Sequence, residues 1–211
     1  MKKILLAIGL ASLAISSTFA QSSVFAINGS GLLISTNSGT VSGLTQGNGY
    51  CYALLVDAAA PTSADPTSAG WQFSGVTMTN LVNGVISGGA SVVANNWANN
   101  TFVNYEIVGW STDGGLYSTW AQVSALLQNG VTGLGLASGT YYGLSAEGNA
   151  EGGGGNPSLA VWHLFGLNAS GQGTPVPGFT LTPVPVPTPE PGTLALAALG
   201  GASMLLFRRK K

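Results

Sequence analysis

Between residues 21 and 207 the chain holds no lysine and no arginine; its six basic residues are Lys2, Lys3, Arg208, Arg209, Lys210 and Lys211. The acids of the same stretch are Asp57, Asp65, Glu106, Asp113, Glu147, Glu151 and Glu190. The formal charge of −1 therefore conceals an acidic body between two basic ends. Nucleic-acid binding needs lysine or arginine to neutralise phosphates, and the body offers neither, so that class is excluded. Charged residues are 6% of the chain, against about 25% in ordinary globular proteins. Serine, threonine, asparagine and glycine take their place, a composition shared by secreted β-proteins, matrix proteins and adhesins. The single cysteine, Cys51, makes no internal disulfide and reads as a small buried hydrophobe.

The first twenty residues have the three parts of a secretory signal. Met1, Lys2 and Lys3 are positive, residues 4–15 form a short apolar run, and Thr18-Phe19-Ala20 is a small-residue cleavage site. That run is shorter than the roughly 17 to 25 residues of a spanning helix. A signal peptidase is expected to cut after Ala20, leaving Gln21 as the new start.

The other end is built of three pieces in order. Pro175, Pro177, Pro183, Pro185 and Pro187 lead to Pro189-Glu190-Pro191. Proline fixes φ and removes a backbone donor, so residues 171–188 are expected to be an extended polyproline spacer. Residues 192–207 are uncharged and apolar, with Leu194, Leu196, Leu199, Leu205, Leu206 and Phe207 suited to a transmembrane helix. Arg208, Arg209, Lys210 and Lys211 would stay on the cytoplasmic side, because positive charge beside a span resists translocation. Together these residues closely resemble the PEP-CTERM sorting tail over positions 187–211. The resemblance implies an exosortase, an integral membrane protease or transpeptidase, as processing partner. It makes Pro189, Glu190 and Pro191 the recognition motif, 193–207 the membrane anchor and 208–211 the stop. It implies export, anchoring through the C-terminus, and then the cell surface or medium.

Residues 21–170 are enough for one domain with a core. Short apolar runs at 24–27, 32–35, 50–56, 71–78, 91–94, 101–110, 140–146 and 159–165 alternate with Asn-Gly and Ser-rich turns. Within 102–111, Val103, Tyr105 and Ile107 share one face, with Asn104 and Glu106 on the other. One helix is expected over 120–128, because Thr119 and Gln122 form a capping box before Trp120, Val123, Leu126 and Leu127 at helical spacing. The expectation is a mainly β fold, a single jelly-roll-like β-sandwich with one short helix. The Trp-bearing strand 105–111, the helical segment 119–127 and Tyr142-Gly143-Leu144-Ser145 also resemble a pattern in exported proteins with this tail, which brings no biochemical role.

Chemistry is sparse. His163 is the only histidine and reads as a strand residue. No nucleophile elbow accompanies it, and zinc lacks a ligand set. Glu106, Asp113, Glu147 and Glu151 could supply a carboxylate pair, with nothing to orient the choice. No enzyme activity and no cofactor is expected; calcium is the one ion for which 147–151, with Asn156 beyond, offers loop oxygens. Trp97, set in Asn95-Asn96-Trp97-Ala98-Asn99-Asn100, reads as an exposed indole able to stack on a sugar ring. Two functions follow: a non-catalytic component of the cell surface or biofilm matrix, and an adhesive module that binds extracellular polysaccharide.

Overall fold

The computed structural model describes residues 21–28, 32–37, 42–57, 59, 63–153, 162–166, 173–185 and 199. The signal segment 1–20 and, except for Leu199, the tail 186–211 lie outside them.

The described chain is mainly β with one short α-helix. Twelve strands run in chain order as β1 (Gln21–Ile27), β2 (Ser35–Asn37), β3 (Ser42–Leu44), β4 (Tyr50–Asp57), β5 (Gln72–Val82), β6 (Val85–Ala98), β7 (Phe102–Ser111), β8 (Tyr141–Leu144), β9 (Gly148–Glu151), β10 (Trp162–His163), β11 (Gly173–Thr174) and β12 (Thr180–Pro183). They hydrogen-bond in the order β10-β1-β6-β5-β4-β7-β8-β12-β2-β3, with β9 on the start of β7 and β11 on β9. This is one sheet curled into a half-barrel, rather than the two facing sheets of the expected sandwich.

Where a sandwich would place a second sheet, this fold places a helix and loops. β4 and β7 are buried on both faces. Tyr52, Leu54 and Val56 of β4 join Val103, Tyr105 and Ile107 of β7 in the inner core, with Val24, Met78, Ile86, Trp97 and Leu181 from other strands. The alternate residues Ala53, Leu55, Val108 and Trp110 form a second, outer cluster with Trp71, Trp120, Val123, Leu136 and Tyr142. The helix α1 (Trp120–Leu126) covers that outer face. Its start is the expected capping box: the Gln122 N–H donates to Thr119 Oγ1 at 3.3 Å, and the Thr119 N–H donates to Gln122 Oε1 at 3.1 Å.

Side-chain amides close the curl. The β5–β6 hairpin turns through Asn83-Gly84, and Gly84 accepts from Ile34 at 2.8 Å and donates to Thr45 at 2.8 Å. Asn28, buried at the end of β1, donates to the Leu32 and Gly84 carbonyls (2.7 and 2.9 Å) and accepts from the Ile86 N–H at 2.6 Å. A buried amide with this many partners repays its desolvation.

Candidate functional site

The segment that leads to the sorting tail belongs to the body. β12 pairs in parallel with β2 through Thr180↔Ser35 and Leu181↔Thr36. On its other side it pairs antiparallel with β8 through Thr182↔Tyr142 and Pro183↔Tyr141. Val176, Phe179, Leu181 and Val184 are all buried. The expected spacer at 171–188 is thus corrected: the folded body runs to Val184. The prolines do not prevent the strand, since at Pro183 β12 pairs with β8 only and its β2 side is an edge, where a missing donor is tolerated. The next residue supplies one instead, the Val184 N–H donating to the Thr140 carbonyl at 2.7 Å. The close approach of β12 to β8 depends on Gly143, where an added Cβ would stand 2.5 Å from the Thr180 carbonyl oxygen and 3.0 Å from Leu181.

Trp97 is not a surface platform. It is 2% exposed, its Nε1–H donates to the Thr101 carbonyl at 3.1 Å, and its ring stacks on Tyr105 with centroids 5.9 Å apart. Asn96 and Asn100 both adopt positive φ, 61° and 54°, and turn the chain so that the indole points inward. Trp71, Trp110 and Trp120 are buried too, so among the described side chains no tryptophan stands ready for a sugar ring.

Of the candidate carboxylates, Glu147 neighbours the buried Glu106, whereas Asp113 and Glu151 stand far apart. Asp113 is exposed just past the end of β7, whereas Glu151 is opposite Phe102 at its beginning. With about 3.3 Å of rise per residue, the length of β7 holds them far outside the spacing of a glycosidase pair. Glu106 is 3% exposed and its Oε2 has no hydrogen-bond partner among the described residues. Burial, then the neighbouring carboxylates of Glu147 and Asp65, push its pKa up to about 8. Alternation placed Glu106 on the correct face of β7; the outer layer then buries that face. A signal for this was present in the near-continuous apolar run from Ile107 to Trp110, the mark of a strand covered on both sides.

Of the stretch expected to offer calcium ligands, Gly148–Glu151 form β9, where the Asn149 amide donates to Asn104 Oδ1 at 2.7 Å; Asn156 lies outside the described residues. Among the described residues no group of three or more His, Cys, Asp or Glu is arranged to hold a metal ion. His163 is exposed on the edge strand β10, and Cys51 is half-buried against the outer cluster.

Of the tail's expected residues, only Leu199 is described, helical and exposed. Pro189, Glu190, Pro191, Leu194, Leu196, Leu205, Leu206, Phe207 and residues 208–211 lie outside the description. Among the described residues no helix is long and apolar enough to cross a membrane. The tail's class is defined by its sequence: residues 187–210 match the family model of the PEP-CTERM protein-sorting motif. The chain therefore carries a PEP-CTERM sorting motif, which implies export and an exosortase as the processing partner. No curated protein and no solved structure matches the chain.

Proposed function

We propose that this chain is a non-catalytic exported protein of the cell surface or extracellular matrix. A signal peptide, residues 1–20, starts its export, and an exosortase processes residues 187–210 at the membrane. The match to the sorting motif is the observation that carries this reading. The body's chemistry supports it. Trp71, Trp97, Trp110 and Trp120 are buried, Glu106 is sealed beneath the outer layer, and Asp113 and Glu151 are held apart. With no lysine or arginine between residues 21 and 207, the mature surface relies on neutral polar groups for hydration.

The test is to express the chain and its Glu190→Ala variant in the native host and follow the C-terminus with an antibody to the last residues. The wild-type chain is expected to lose that epitope and the variant to keep it in the membrane fraction. Equal retention in both would overturn exosortase sorting.

A further inference from the structure

The rim of the half-barrel from which the tail departs can be read strand by strand from the register. Pro183 of β12 is opposite Tyr141 of β8. Trp110 of β7 is opposite Tyr142, and Ser111 is opposite Tyr50 of β4. Cys51 is opposite Thr79 of β5, so Leu81, Val82 and the β5–β6 turn lie at that same rim. The chain after β7 adds Asp113–Gly115 and Leu116, tied to the rim by the Thr112 N–H donating to the Gly49 carbonyl at 2.8 Å.

This rim is apolar at its tips. Leu81 and Val82 are each 63% exposed and Leu116 is 67% exposed, while Tyr50 and Tyr141 form a half-buried edge-to-face pair between them. Asp113 sits there as well, so the rim carries an acid and no base. Any attraction it exerts is apolar rather than ionic.

The tether decides what this rim meets. Only Pro185 to Thr188 separate the buried Val184 from Pro189 of the sorting motif. Fully extended, the eight steps from Val184 to Gly192, where the apolar segment begins, span at most about 29 Å. A body of roughly 150 residues has a radius of gyration of about 15 Å, equivalent to a sphere about 38 Å across, more than the tether can reach. The body therefore cannot turn its far rim, with Phe73 and Phe102, toward a bilayer that holds residues 192–207.

We propose that, in the membrane-held form, the body stands on the lipid bilayer with this rim down, Leu81, Val82 and Leu116 entering the interface and Tyr50 and Tyr141 at headgroup level. The occupant of the rim is the bilayer that receives the chain's own apolar tail. The inference rests on the tail being membrane-inserted, as the proposed function has it. Amphipathic helices at a membrane surface bury their apolar faces about 5–10 Å into the headgroup boundary, and the same depth would take in the exposed side chains of a hairpin tip.

The test uses the chain with its tail intact, in a Cys51→Ala background, in phosphatidylcholine vesicles with nitroxide-labelled lipid. A fluorophore is attached in turn at Val82→Cys, Leu116→Cys, Phe102→Cys, Leu126→Cys and, for the tail, Leu205→Cys. Quenching of about twofold or more is expected at 82 and 116, with little at 102 and 126, as for groups in and out of the interface. Strong quenching at 205 with equal quenching at all four body sites would overturn the orientation and leave the tail's insertion standing. No quenching at 205 would overturn insertion, and the orientation with it. Photo-crosslinks from position 82 to a second copy, in place of quenching, would give the rim to self-association and overturn the proposal.

Discussion

The Val184 N–H donates to the Thr140 carbonyl at 2.7 Å, fixing the chain to the start of β8 just before the sorting motif begins. The stretch that composition presents as a proline spacer holds, before that bond, the short strands β11 and β12. Delivery signal and fold therefore share a boundary with little slack between them.

A chain ending at Thr188 is expected to fold with the stability of the longer protein, whereas one ending at Gln172 loses β12 and does not fold cooperatively. Leu181→Ala, at a fully buried position, is expected to cost about 2–5 kcal/mol. Urea unfolding followed by tryptophan fluorescence measures all three. An unchanged midpoint for Leu181→Ala would mean that β12 is not docked.

Gly143 lets β8 and β12 approach, and Gly143→Ala forces the Thr180 carbonyl away. The expected loss is about 1–3 kcal/mol, as for other overpacked sites. Gly139→Ala controls for glycine removal in general: its added Cβ meets nothing within 4 Å, and any cost there comes from its positive φ of 86° alone. The difference in unfolding midpoint between the two variants reads the contact itself.

Glu106 gives the fold a dependence on pH of defined sign. Its carboxyl is held protonated up to about pH 8, against an ordinary value of 4.5. Between those values the folded chain binds a proton that the unfolded chain has released, so stability falls as pH rises, by about 1.4 kcal/mol per unit. The contribution is fully present below about pH 4.5 and gone above about pH 8. Glu106→Gln is expected to match the wild type at about pH 4 and to be more stable by a few kcal/mol at about pH 9. Urea midpoints of the pair across this range test it, and parallel curves would contradict it.

Trp97 is expected to behave as a core residue. Trp97→Ala should cost about 3–5 kcal/mol, with Trp97→Phe less damaging because a ring remains to stack on Tyr105. A soluble, fully stable Trp97→Ala protein would place the indole outside the core.

Features set by neighbouring residues were legible in the sequence. The capping box of Thr119 and Gln122 marked the start of α1, and alternation separated Val103, Tyr105 and Ile107 from Asn104 and Glu106. Features set by distant contacts were not. The apolar run from Ile107 to Trp110 hints that the face of Glu106 is covered, but nothing in it names the segments that do so. Nothing in the proline spacing between Pro177 and Pro183 announces that Leu181 finds a buried place between β8 and β2. Trp97 misleads for a related reason: asparagines read as a polar turn, but two of them, with positive φ, direct the indole inward. The sorting motif was legible because an exosortase would read it as a linear segment, without help from the fold.

The most direct test of delivery by this route is the intact mass of the protein recovered from its native host, membrane and medium taken separately. A mass that begins at Gln21 and ends near Pro189-Glu190-Pro191, with or without an added group, is the expected result. A membrane-bound mass that still includes Arg208 to Lys211 would contradict it and leave an unprocessed surface domain.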